Sequence, residues 1–258
     1  MNRITALAAT VALTAGSLAL TAPSQAAPAR AYKVTARANL EVAVAKEDTV
    51  KVRGRVTPRA AGQKVVLQQR VGENPRWKRT GTAKVRRNGT YVLEDRPTTP
   101  GSREYRVLKP GSRGIKKGWS KPVAVEVYRW QKLASRRVGP SENISTTSVY
   151  IGAGLATRSL VNIEPGVPAS VEYTLNRKCV ELRARYALTD QSATGSSGEI
   201  SVSADGAVRT THSLAVGTIV DDEPLDVSDV FRLKIDISTT ATPAAYAAVA
   251  TPEVLCTR

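Results

Sequence analysis

The sequence predicts an all-β protein built from two β-sandwiches, and three observations support this fold class. Short runs of alternating apolar and polar residues recur along the chain, as is typical of half-buried strands. Turn residues such as Asn-Gly separate these runs, and no run has the period of a convincing amphipathic helix. The length of 258 residues favours two domains rather than one.

The charge distribution divides the chain at one point. Residues 28–130 carry 25 Lys and Arg against 8 Asp and Glu, a net charge of +17. Residues 131–258 carry 12 against 14, a net charge of −2. Because the change is abrupt and falls near Trp130, we expect one domain at 27–130 and a second at 131–258.

The first 26 residues have the pattern of a secretory signal peptide. Arg3 supplies a positive start, Ile4–Leu20 an apolar core, and Ser24–Ala26 a small-residue cleavage site, with cleavage after Ala26 or Ala27. No later apolar run approaches the roughly 20 residues that a membrane-spanning helix needs. We therefore expect a secreted, extracellular protein without a membrane span.

The first domain is predicted to contain about seven short strands, which is typical of an immunoglobulin-like sandwich. The clearest alternating runs are residues 49–56, 64–71, 76–85, 90–95, 102–109 and 121–130. Asn88-Gly89 between two of them predicts a hairpin turn. Trp77, Tyr91 and Tyr105 are predicted to anchor the core or its margin.

The stretch from Val52 to Leu108 resembles small immunoglobulin-like or fibronectin-like modules of secreted bacterial proteins. The matching features are the G-x-V-x-P start, the V-x-L-Q-x-R strand, the R-W strand and the N-G-x-Y turn. This resemblance implies a spacer or adhesion unit rather than a catalytic one.

The second domain is also predicted to be all-β. The stretch VEYTLNRKCVELRARYALTD, residues 171–190, alternates throughout and predicts a hairpin with its turn at Asn176-Arg177. A second hairpin turn is predicted at 204–206. Cys179 and Cys256 are the two cysteines of the chain, and an isolated pair in an exported protein predicts a disulfide.

The order of the segments SVEYTLNRKCVELRARYALTD, GEISVSADGAV, PLDVSDVFRLKIDI and AAYAAVATPEVLC resembles the NPCBM family of carbohydrate-binding modules. The resemblance implies a galactose-binding-like jelly roll whose first and last core strands lie close together, so that Cys179 and Cys256 meet. It also suggests Asp190, which follows the second core strand, and Tyr246, near the closing strand, as ligand-binding residues. The structural alternatives are that Asp190 forms a turn and that Tyr246 is a core ring.

Basic residues surround the tryptophans of the first domain and predict a surface that binds a polyanion. The candidates are Arg76, Lys78, Arg79, Arg86, Arg87, Lys116 and Lys117. The signal peptide argues against nucleic acid, so an anionic cell-wall polymer or acidic polysaccharide is the expected partner. The alternative is a solvated basic face that maintains solubility.

Nothing in the sequence predicts an enzyme, a cofactor or a metal site. His212 is the single histidine and no G-x-S-x-G motif accompanies it, so no catalytic residue is expected. The acidic residues between Asp221 and Asp229 lack the spacing of a calcium loop. We expect a non-enzymatic protein that binds carbohydrate or cell-envelope glycan, or alternatively a scaffold with protein partners.

Overall fold

The computed structural model describes residues 30–221 and 224–258, and the predicted signal peptide lies outside these residues. Regular structure within the described ranges consists of 21 β-strands and one short 3-10 turn at Leu133–Ser135. No helix in this part of the chain is long and apolar enough to cross a membrane. The all-β prediction is confirmed.

Ten strands come from the basic part of the chain, called the first unit below. They are β1 (Lys33–Val34), β2 (Arg37–Ala38), β3 (Val42–Val44), β4 (Val50–Thr57), β5 (Lys64–Val71), β6 (Lys78–Lys84), β7 (Thr90–Asp95), β8 (Gly101–Lys109), β9 (Gly118–Trp119) and β10 (Val123–Lys132). In one sheet, β4 pairs with β1, β2 and β7. The facing strands are β6, β5, β8 and β10 in that order, with β9 beside β8 and β3 beside β10.

Eleven strands form the second unit. They are β11 (Val138–Glu142), β12 (Ile144–Ile151), β13 (Gly154–Asn162), β14 (Ala169–Thr174), β15 (Cys179–Leu188), β16 (Ser197–Ala204), β17 (Ala207–Ala215), β18 (Ile219–Asp221), β19 (Leu225–Asp226), β20 (Arg232–Thr239) and β21 (Ala247–Cys256). One sheet has the order β11-β14-β20-β16-β17. In the facing sheet β12, β13, β21 and β15 are neighbours, and β15 also pairs with β18 and β19.

Strand β10 belongs to both units. Its first part pairs with β8, from Val123 opposite Tyr105 onward, and its last four residues pair with β21, from Arg129 opposite Cys256 onward. Backbone hydrogen bonds therefore join one sheet of each unit into a single 12-stranded sheet. The predicted boundary after Trp130 falls inside this strand.

Each unit has its own apolar core, built from the alternating side chains of two facing sheets. The core of the first unit runs from Tyr32 to Val127 and includes the buried rings of Tyr91 and Tyr105, as predicted. The core of the second unit runs from Leu133 to Cys256. Trp77 belongs to neither core, because it lies half-buried on the outside of the first unit.

Two predicted hairpins are wrong, and both are connections between facing sheets. β14 pairs with β11 and β20, whereas β15 pairs with β21, so residues 171–190 cross the sandwich instead of folding back beside themselves. Asn88-Gly89 likewise joins β6 in one sheet to β7 in the other. The alternation of apolar and polar residues along a strand is the same whether the next strand lies beside it or in the facing sheet. The predicted turn at 204–206 does join paired strands, β16 and β17.

The predicted disulfide between Cys179 and Cys256 is present. The two residues lie directly opposite each other on β15 and β21, and both are buried. The bond therefore fastens β21, which pairs with the shared strand β10, to its neighbour β15 inside the second core.

Candidate functional site: a basic and aromatic sheet face

The 12-stranded sheet turns one face away from the core of the first unit. Tyr105 is buried in the middle of β8, so alternation directs its neighbours Glu104 and Arg106 to the opposite, outer face. On the adjacent β5, Gln68 lies opposite Arg106 and Arg70 lies opposite Glu104. Charged and amide side chains therefore form cross-strand pairs on an exposed sheet face.

Five side chains on this face make a continuous series of cation–π contacts, called the Trp–Arg ladder below. The Cζ atom of Arg70 lies 5.0 Å from the centre of the Trp77 ring. The Cζ atom of Arg106 lies 4.1 Å from the Trp77 ring and 5.9 Å from the Trp119 ring. The Nζ atom of Lys117 lies 5.0 Å from the Trp119 ring. All four distances are within the range in which a cation is attracted to a ring face.

Hydrogen bonds hold the ladder in place and leave it positively charged. Arg106 donates from Nε to Oε1 of Gln68 at 2.9 Å, and Arg70 forms an ion pair with Glu104. Burial lowers the pKa of Arg106, and the nearby charge of Arg70 lowers it further. An arginine remains protonated at neutral pH despite such a shift. Three cations thus accompany one carboxylate, and the Trp119 side chain is 43% exposed.

The seven basic residues predicted to bind a polyanion are all exposed. Three lie around the β5–β6 connection, next to Trp77: Arg76, Lys78 and Arg79. Four lie at the opposite end of the sheet: Arg86, Arg87, Lys116 and Lys117. Gln63 ties that end together, because its carbonyl accepts from the N–H of Val85 and its side chain accepts from Ser112. The ladder crosses the sheet from Trp77, beside the first group, to Lys117, which belongs to the second group.

Some of the positive charge of the first unit is not available to a ligand. Lys109 is 2% exposed; its Nζ donates to the carbonyl of Pro110 at 2.6 Å and lies 4.2 Å from the Tyr32 ring. Burial lowers the pKa of Lys109. Arg103 is also buried and donates to Gln69 at 2.7 Å. Both cations stabilise the interior of the first unit.

Asp190 has a structural role in the second unit. Its carboxylate accepts from the backbone N–H of Gly152 at 2.7 Å and of Ala153 at 2.9 Å, in the β12–β13 turn. Both turn residues have positive φ, at 57° and 63°, so the carboxylate stabilises a left-handed turn. Its two oxygens are thereby engaged with the turn.

Tyr246 lies beside Asp190 and is half-buried. The carbonyl of Tyr246 accepts from the N–H of Thr189 at 2.8 Å, so the structure brings the two predicted ligand-binding residues together. The Tyr246 side chain packs against a small apolar cluster on the outside of the second unit that includes Ala187 and Ala248.

His212 and Asp221, two other polar residues considered in the sequence, both contact neighbouring side chains of the protein. His212 is nearly buried on β17, and its ring stacks on Tyr186 with centroids 4.2 Å apart. In the acidic run, Asp221 pairs with Arg185 at 2.7 Å, while Asp222 and Glu223 lie outside the described residues. No group of three or more His, Cys, Asp and Glu residues within 30–221 and 224–258 could hold a metal ion.

Arg70 and Arg106 are ladder residues that the sequence reasoning missed. Both sit inside strands, in QQRV and EYRV, rather than beside a tryptophan. Alternation could have found them, because Tyr105 and Val107 face inward and Arg106 between them must face outward.

No protein-family model matches the chain, and no curated protein matches it significantly.

Proposed function

We propose that this is an exported, non-enzymatic protein that binds an anionic glycan polymer through the Trp–Arg ladder. The observation that carries the proposal is the ladder itself, in which two indole rings alternate with three cations on an exposed sheet face. One carboxylate, Glu104, offsets one of these three positive charges. The basic residues at both ends of the sheet extend the positive field around it.

The chemistry of the ladder fits a charged polysaccharide better than a small neutral sugar. Faces of sugar rings carry C–H bonds that pack on indole rings, while carboxylate, sulfate or phosphate groups pair with guanidinium and ammonium groups. A neutral sugar would use the rings and give the cations of the ladder no anionic group to bind. The predicted signal peptide supports the proposal, because export would bring the protein into contact with cell-envelope glycans. Sugar binding through Asp190 and Tyr246 stays a separate prediction.

Dextran sulfate and uncharged dextran test the proposal, because they share a backbone and differ in charge. We expect saturable binding to dextran sulfate in titration calorimetry, weakening as salt is raised, and no binding to dextran. Trp119→Ala should weaken binding about fivefold, the equivalent of about 1 kcal/mol for one ring–ligand contact. Trp119→Phe should retain part of that affinity.

The double variant Arg53→Ala/Arg55→Ala is a matched control for loss of charge. Both residues are exposed on β4, on the sheet facing away from the ladder. It should weaken binding less than Arg70→Ala/Arg106→Ala, which removes the same charge from the ladder. Equal effects of the two double variants would show that only net charge matters and would overturn the assignment of the site.

A further inference from the structure

All three tryptophans of the chain lie on one face of the 12-stranded sheet. Val125 and Val127 of β10 face the first core, and Leu133, six residues beyond Val127, faces the second. Trp130 has the opposite parity, so it lies on the same outer face as Glu104 and Arg106. The outer face therefore continues without a break from the ladder into the second unit.

The environment of Trp130 repeats the chemistry of the ladder. The Cζ atom of Arg183, on β15, lies 3.9 Å from the centre of the Trp130 ring. Arg183 and Lys132 both pair with Glu253, at 2.7 Å and 3.0 Å. Burial tends to raise the pKa of Glu253, but the bonds from Arg183 and Lys132 outweigh it and hold the pKa below its usual value. Two cations bridged by one carboxylate thus lie beside an indole ring.

The strand register gives the separation of the two aromatic sites. Tyr105 on β8 lies opposite Val123 on β10. Trp119 pairs with Leu108, which is three residues from Tyr105 in the direction away from Trp130. Trp130 is seven residues further along β10. Ten residue steps of about 3.3 Å place the two rings about 30 Å apart along the sheet.

The face beside the ladder is recessed toward the second unit. Two depressions of about 320 and 520 Å³ adjoin each other beside Arg70 and share Gly72, Ser102 and Glu126. The larger one lies between the units, and its lining includes Tyr128 from the first unit and Arg177, Lys178 and Asp229 from the second.

We propose that the binding face extends across both units and takes an extended anionic polysaccharide chain, with Trp130 and Arg183 as its second contact site. This inference rests on the proposed function and specifies the ligand further. A short oligosaccharide reaches only the ladder, whereas a chain longer than about 30 Å can contact Trp119 and Trp130 together. Linking the two contacts raises the affinity for long chains without a new contact at the ladder.

Size-fractionated dextran sulfate tests this inference on the full-length mature protein. The chains should range from shorter than about 30 Å to several times longer. Affinity per chain should rise steeply once the chain spans both sites. Trp130→Ala and Arg183→Gln should each weaken binding of long chains about fivefold and leave binding of short chains unchanged. Arg183→Gln keeps the indole in place, which guards against a folding defect in Trp130→Ala.

Arg209→Gln is the matched control, because Arg209 is exposed on β17 of the opposite sheet and its loss changes the charge equally. It should leave the affinities for long and short chains unchanged. Affinity that does not depend on chain length, or an equal effect of Arg183→Gln and Arg209→Gln, would overturn the extended site. If short chains still bind in a way that depends on Trp119, the proposed function would stand. If the wild-type protein binds dextran sulfate of no length, the proposed function and the extended site would both be overturned.

Discussion

Removing the Cys179–Cys256 bond should destabilise the second unit by an amount set by the length of the loop that the bond closes. The bond closes a loop between residues 77 apart. On the chain-entropy estimate, opening such a loop costs about 4.5 kcal/mol, because the unfolded chain regains the conformations that the crosslink excluded. The double variant Cys179→Ala/Cys256→Ala also loses a little buried packing, so we expect a loss of stability of about 4–6 kcal/mol.

Urea denaturation followed by circular dichroism measures this loss. Each single variant should lose about as much as the double variant, since either substitution breaks the same bond. The m-value should rise in all three, because an uncrosslinked unfolded chain exposes more surface. A loss below about 1 kcal/mol in the double variant would refute the argument from loop closure.

Three further changes test specific contacts. Gly54→Ala should severely destabilise the first unit in thermal melts, because the added Cβ would lie 1.7 Å from the carbonyl oxygen of Thr35; a melting temperature near that of the wild type would contradict this close approach. Asp190→Ala should cost about 1–3 kcal/mol in urea titrations, since two N–H groups of the β12–β13 turn lose their acceptor; an unchanged midpoint would argue against the structural role. The folded-state pKa of Glu253 is depressed, so its ionised form stabilises the fold above about pH 4.3 and this contribution disappears as the pH falls through the lower folded value. Glu253→Gln should therefore lower the melting temperature at pH 7 by more than at pH 3. A deficit that stays constant with pH would be inconsistent with the pairing.

The strands could be predicted from the sequence, but which sheet each strand joins could not. Residues 64–71 and 90–95 were predicted at the bounds that β5 and β7 have. Alternation reports that one side of a strand is buried, and it reports nothing about the neighbouring strand. The connection at Asn176-Arg177 has positive φ at both residues, which suits a hairpin turn, yet it crosses between sheets. Buried Leu175 helps explain this, because its side chain occupies the core that the connection spans.

The candidate site was predictable in composition and not in arrangement. Basic residues around Trp77 and Trp119 predicted a charged surface, and this surface exists. Trp77 was expected in or near the core because large aromatic residues usually lie there. Stacking on Arg70 and Arg106 half-buries its ring outside the core, and both partners come from other strands. Cross-strand contacts of this kind depend on register, which a single strand does not specify.

The shared strand β10 determines how the two units could act together. A flexible linker would let two sandwiches sample many orientations, and each binding event would pay for restricting them. Here four residue pairs between β10 and β21 continue the sheet through the junction, and the pairing of β21 with β15 is fastened by the disulfide. The ladder and Trp130 are thus held at a fixed spacing before any ligand arrives. A preorganised face of this kind favours an extended, repetitive ligand over a compact one, since only an extended chain can contact both sites at once.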